Sequence, residues 1–333
     1  MYLDREDRKR IAGRLLTIGI PGPQLDQATR ELLTHINPFG IILFARNIVD
    51  AHQLRDFIAE LKAFRAGDPF VISVDQEGGL VQRLKPLGND WPNARDMARQ
   101  GIEAVRKFGH RMGQELRSYG FDLDYAPVLD IHTEPTNPII GNRAFAENAQ
   151  DVTTFACAFA EGLRAAGIRT CGKHYPGHGD TTVDSHLALP EVQHSIETLR
   201  KREWLPFKAA AASGIMDAIM TAHMMVPKLD PKLPATLSPV ILRALRDELG
   251  FSGIIVSDDI DMKALADHWS LDEIALLGLK AGLDHYLACI DPVRALGLHR
   301  ALHHVMEQRT VPAEQLIASE MRTITNWQAI NFS

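Results

Sequence analysis

The run Gly40-Ile41-Ile42-Leu43-Phe44-Ala45-Arg46 is apolar at consecutive positions and ends in a cation. A strand with one face in water alternates apolar and polar residues. An unbroken run implies a strand buried on both faces, the condition of a parallel sheet covered by helices. The cover follows at once. Over residues 51–65, Leu54, Phe57, Ile58, Leu61 and Phe64 recur at helical spacing on one face.

The same unit repeats along the chain. Strands are expected near residues 17, 41, 72, 124, 170, 220, 255 and 287, among them Phe70–Val74, Phe121–Val128 and the segment 168–172. Between them come helices at 24–36, 51–65, 102–119, 148–166 and 195–213. Another is opened by Ser238-Pro239 and stopped by Gly250, and another spans 271–282 behind a Ser270/Glu273 capping box. Val152, Phe155, Phe159 and Leu163 form the buried stripe of 148–166. Helices at 3–16, 292–308 and 313–328 complete the ends. Strands alternating with helices make βαβ units and a parallel sheet. Eight such units in somewhat more than ~250 residues fit a (β/α)8 TIM barrel. The rival, an open doubly wound sheet, calls for a Gly-x-Gly-x-x-Gly turn after an early strand, and none is present. The expectation is an α/β protein: one domain over residues 1–333, with extra terminal helices and no second α/β domain.

Composition narrows the function classes. The 333 residues are 45% hydrophobic and 23% charged, an ordinary globular balance. A formal net charge of −6 without a basic tract argues against a nucleic-acid partner. No apolar run approaches the ~18 residues of a membrane span. The three widely spaced cysteines read as reduced thiols, and the charged amino terminus lacks a signal-peptide core. Together these give the expectation of a soluble cytoplasmic protein that binds neither membrane nor nucleic acid.

In a TIM barrel, chemistry gathers at the C-terminal ends of the strands. Polar clusters fall there: Asp75 and Glu77, Asp130, the stretch KHYPGHGDTTVDSH (173–186), His223, and Asp258-Asp259. Five such clusters around one mouth mark a functional site. Asp258 shares the parity of Ile254 and Val256, so the two adjacent aspartates should diverge, but parity alone does not say which one meets the pocket. Asp184, two residues before His186, can turn back to accept its Nδ1–H, fixing the tautomer and supporting an imidazolium. Ser185 lacks the Gly-x-Ser-x-Gly surroundings of a serine hydrolase. His174, His178 and Asp180 could serve as metal ligands, yet the barrel's first strand has no His-x-His and Lys173 would repel a cation. His174 and His178 could equally be hydrogen-bonded braces of the loop. The cations Arg83, Arg143 and Lys173 suit either salt bridges to Asp75, Glu77 or Asp130, or bidentate grips on a hydroxyl-rich ligand.

These motifs carry a resemblance. The stretch 173–186, with VDQEGGLVQR (74–83) and IIVSDDIDM (254–262), resembles glycoside hydrolase family 3 over about residues 12–310, and most of all its single-domain bacterial β-N-acetylglucosaminidases of cell-wall recycling. The resemblance implies a retaining, two-step exo-hydrolase with Asp258 as nucleophile and His186 as general acid/base, oriented by Asp184. Asp75, Arg83, Arg143, Lys173 and His174 match positions that grip the sugar hydroxyls. It implies no cofactor and no metal, and N-acetylglucosamine-containing cell-wall fragments as substrates. Tyr175 stands where the family usually has Phe, Leu80 where it often has Arg, which removes a cation near the pocket, and Asn142-Arg143 where Glu-Arg or Arg-Ser is common. A histidine donor would also repel an anionic acceptor less than a carboxylate, so phosphate could replace water. A phosphorylase or a β-glucosidase of the same family is therefore an alternative. Outside the family stand a metal-dependent barrel hydrolase or lyase and a catalytically silent sugar-binding barrel.

Overall fold

In a computed structural model, which describes residues 3–328, the eight expected strands close into one parallel barrel. The first two and last five residues of the expected 1–333 unit lie outside the described residues. The strands are β1 (Leu16–Gly19), β2 (Gly40–Leu43), β3 (Val71–Val74), β4 (Leu123–Asp124), β5 (Arg169–Tyr175), β6 (Ala218–Thr221), β7 (Ile254–Asp259) and β8 (His285–Ala288). They neighbour one another in chain order, and β8 pairs with β1 to close the ring, Tyr286 opposite Leu16.

Two apolar layers hold the barrel. Ile42, Val71, Leu123, Cys171, Ile254 and Val256 pack with others inside the ring. A larger layer fills the space between strands and helices. In helix Ala51–Phe64, Leu54, Phe57, Ile58 and Leu61 are buried as the pattern required, while Phe64, at the frayed end, is only partly covered. Burying each such side chain contributes about 1.5–3 kcal/mol.

Four local expectations need correction. The helix expected over 195–213 is two, Ile196–Lys201 and Trp204–Ser213. Pro206 explains the break, because in a continuous helix its ring would strike the carbonyl of Arg202, four residues back. The strand expected over 121–128 is regular only at Leu123–Asp124, with an isolated bridge from Val128 to Lys173. Pro127, following a cis peptide bond, has no N–H to give the ladder. β5 runs three residues beyond 172, to Tyr175. Residues 76–82, beyond the strand expected to end at Val74, form a hairpin of Gln76–Gly78 against Val81–Gln82. Its turn requires positive φ at Gly78 and Gly79, at 96° and 63°, where any Cβ is strained. The Ser270/Glu273 capping box and the Ser238 cap are present as expected.

Candidate active site

The inward parity of the strands continues into a cleft at their C-terminal ends. Beyond Ile42 comes Phe44; beyond Cys171, Lys173; beyond Val256, Asp258; beyond Leu287, Cys289. All four of these later residues line the cleft, as does Asp75, four residues beyond Val71. Asp258 is thus the aspartate that continues the Ile254–Val256 row. Asp259 also touches the wall, but its Oδ1 accepts from the N–H groups of Cys289 and Asp261 at 3.0 and 3.1 Å. The two also differ in charge state. Burial and the neighbouring Asp261 push Asp259 up to about 7. Burial would raise Asp258 as well, but His174, His223, the Asp259 N–H at 2.8 Å and Lys173 hold it below its ordinary value. Asp258 is the one whose surroundings favour the charged form.

On the opposite wall, three cations meet two carboxylates. Arg143 grips Glu77 with two parallel bonds of 2.8 Å, Nε to Oε2 and Nη2 to Oε1. Lys173 Nζ lies 2.6 Å from Glu77 Oε1 and 2.8 Å from Asp75 Oδ1. Arg83 reaches Asp75 only at 3.6 Å and lies over the Phe44 ring, 5.2 Å from its centroid. Burial alone would push Glu77 up, but Arg143 and Lys173 hold it far below the usual carboxylate range. The two carboxylates in turn raise Lys173 against its burial. The choice between salt bridge and ligand-facing cation therefore dissolves, since the three cations are paired and still line the cleft. Glu77, read from the sequence as a strand-end group and one of three possible salt-bridge partners, is the hub of this set.

Asp130, fully buried, organises the turn after β5. Its carboxylate accepts from the N–H groups of His174 and His178, and Oδ2 lies 2.6 Å from His174 Nδ1. His174 thereby donates from Nδ1 and presents Nε2, 3.4 Å from Arg143 Nη2, to the cleft. His186 lines the rim. Asp184 Oδ1 accepts from its backbone N–H at 2.8 Å and lies 2.9 Å from its Nδ1, as the two-residue spacing required. The histidine is 65% exposed, so the pair stands at the mouth rather than on the floor.

Other expectations change. His223 does not join the ring around the cleft: it is buried, with Nδ1 against Thr236 Oγ1 and Nε2 at 3.0 Å from the Asp259 carbonyl, bracing β7 from behind. His174, His178 and Asp180 do not converge as metal ligands. His178 is tied to Thr181 and Asp180 to Thr133, His194 and Arg202. Among the described residues the grouping with ligand-like spacing is Asp180, His194 and Glu203, and the Arg202 guanidinium already bonds both of its carboxylates. Leu80 is 91% exposed at the hairpin turn, so the cation missing there is not one from the cleft lining. Tyr175 donates to the Ile241 carbonyl at 3.1 Å in a buried pocket against Trp204 and Phe207. Tyr175→Phe should therefore cost about 1 kcal/mol in urea unfolding and leave kcat within about twofold. A loss of activity without a loss of stability would contradict this placement.

Residues 10–326 match the N-terminal domain of glycosyl hydrolase family 3. The chain is 37% identical over 320 residues to a β-hexosaminidase of Vibrio cholerae, covering 94% of each. It is 36% identical over 287 residues to that of Idiomarina loihiensis, covering 84% of this chain and 85% of the relative. Among solved structures it superposes on a family 3 β-N-acetylglucosaminidase from a Paenibacillus species with a TM-score of 0.92 at 36% identity. That match covers 96% of this chain and 62% of the other. With the match spanning nearly the whole barrel and its cleft, the chain belongs to glycosyl hydrolase family 3.

Proposed function

We propose that this chain is a retaining exo-β-N-acetylglucosaminidase in which Asp258 is the nucleophile and His186 the general acid/base. One observation carries the reading. An ionised aspartate at the end of β7 and a carboxylate-held histidine at the rim line the same cleft. In the first step an Asp258 oxygen attacks the anomeric carbon while the leaving oxygen takes the Nε2 proton of an imidazolium at His186. Asp184 accepts the Nδ1–H throughout. In the second, the neutral imidazole takes a proton from water, whose oxygen attacks the anomeric carbon and frees Asp258. Asp75, Arg83, Arg143, Lys173 and His174 hold the sugar hydroxyls in bonds that strengthen as charge develops.

The cleft encloses about 200 Å³, the scale of a single sugar rather than a polymer groove, which supports removal of a terminal residue. Nucleophile and proton donor both come from the barrel, so no second domain is required for the chemistry. The relatives, β-hexosaminidases and a β-N-acetylglucosaminidase, favour the acetamido sugar, and bacterial cell-wall fragments that carry it are the substrates of this reading. The three cysteines are unpaired and two are buried, in keeping with a reducing cytoplasm. Among the described residues no helix is long and apolar enough to cross a membrane.

The test compares p-nitrophenyl β-N-acetylglucosaminide with p-nitrophenyl β-glucoside, in buffers with and without phosphate. Turnover of the acetamido sugar, with free N-acetylglucosamine as product in both buffers, is expected. Preference for the glucoside would overturn the substrate, and a sugar 1-phosphate would make the enzyme a phosphorylase.

A further inference from the structure

The loop that carries Asp184 and His186 is fastened at its neck and bare at its tip. At the neck, Asp180 Oδ2 lies 2.8 Å from His194 Nε2 and accepts from Arg202 Nη2 at 2.9 Å. Its Oδ1 accepts from Thr133 Oγ1 at 2.7 Å. At the tip, Val183, His186 and Leu187 are exposed. Yet Ser185, between the two members of the dyad, is only 3% exposed. A buried polar residue in the middle of an exposed tip is costly unless its hydroxyl is bonded. It is bonded: Ser185 Oγ lies 3.3 Å from His178 Nε2, and the Ser185 carbonyl accepts from Ala264 N–H at 3.2 Å.

The direction of these bonds follows from Thr181. Its hydroxyl donates to the His178 carbonyl at 3.0 Å, so at 2.6 Å from His178 Nδ1 it accepts from that nitrogen's proton. His178 Nε2 is then a lone pair, and Ser185 is its donor. Burial, which pushes His178 down to about 4, keeps the ring in this neutral form. His178 and Ser185 both line the cleft. Nevertheless both ring nitrogens of His178 are used within the protein, so this histidine has no atom left for a sugar hydroxyl.

We propose that Ser185 and His178 are positioning residues for the proton donor, their hydrogen bond pinning the centre of Asp184-Ser185-His186 to the barrel so that the dyad faces the cleft. The inference rests on the assignment of His186 as general acid. Losing the pin frees the tip to turn, and the donor then spends less time aligned with the leaving oxygen.

The test uses leaving groups. A 2,4-dinitrophenolate departs without protonation, whereas p-nitrophenol and then 4-methylumbelliferone increasingly depend on the acid. Ser185→Ala should lose about tenfold in kcat/KM on the umbelliferyl and p-nitrophenyl N-acetylglucosaminides, and less than about twofold on the dinitrophenyl one. Ser185→Thr, which keeps the hydroxyl, should restore most of the loss, and His186→Ala should show the same dependence more steeply. If Ser185→Ala does not accumulate as folded protein, His178→Gln, which displaces the acceptor, carries the same expectation. A uniform loss across leaving groups, or no loss, in Ser185→Ala beside a leaving-group-dependent His186→Ala would overturn the pin and leave the site assignment standing. If His186→Ala itself shows no such dependence, the assignment of the acid fails first.

Discussion

Asp258→Asn is expected to lower kcat on an aryl β-N-acetylglucosaminide by about 10⁴-fold or more, with only a small loss of thermal stability. The carboxylate stays ionised only because His174, His223, Lys173 and the Asp259 N–H outweigh its burial. The Asp259 N–H, 2.8 Å from Asp258 Oδ1, and the strand whose Ile254 and Val256 are locked in the barrel core aim it into the cleft. Asparagine keeps the shape and removes the electron pair that would form the glycosyl ester. Losing a nucleophile of this kind costs about 10⁴–10⁶-fold in kcat. The surroundings favour the charge, since Asp258 is held below its ordinary value, so neutralising it should lower the melting temperature slightly at pH 7. Asp259→Asn is the paired control. Both of its hydrogen bonds end on Oδ1, which asparagine keeps, and burial beside Asp261 already disfavours its charge, so this variant should stay folded and largely active. Kinetics of both variants decide the matter: a nearly active Asp258→Asn beside a dead Asp259→Asn would exchange their roles.

The parts of this site that were legible in the sequence are those whose partners are local or periodic. The strand set could be read because a strand buried on both faces leaves an unbroken apolar run, as at Gly40–Leu43. The Asp184–His186 pair could be read because two residues of loop suffice to bring carboxylate and ring together. Parity named two candidates at 258 and 259, but choosing between them required the interior of the barrel. The Glu77–Arg143 pair was one of several salt bridges the sequence allowed, and the choice among them was out of reach for a different reason. The residues are 66 apart on separate loops, and nothing in either loop encodes that they meet. Arg143 was marked by resemblance and Glu77 by its strand end, yet their shared bond with Lys173 exists only in the closed ring. The break at Arg202 was readable from Pro206 and is a matter of helix chemistry rather than of tertiary structure.

That hub sets the second large effect. Glu77→Gln should destabilise the protein by about 3 kcal/mol at pH 7, the low end of the ~3–5 kcal/mol for removing one partner of a buried pair. The low end applies because Lys173 keeps Asp75 at 2.8 Å while Arg143 loses a bidentate partner. The sign of the pH dependence follows from the direction of the shift. Glu77 in the folded chain lies below its ordinary 4.5, so the stability it contributes is fully present above about pH 4.5 and is lost as the pH falls towards its folded value. Urea unfolding of wild type and Glu77→Gln should therefore differ by a constant amount from pH 7 to about 5. The difference should shrink progressively below that, since protonated Glu77 and glutamine present Arg143 and Lys173 with much the same neutral group. Activity should fall with it, by about tenfold or more in kcat/KM, because both cations face the cleft and lose the group that aims them. A difference below about 1 kcal/mol at pH 7, or one that is the same at pH 3 and pH 7, would mean that Asp75 alone holds the two cations and that Glu77 is not their anchor.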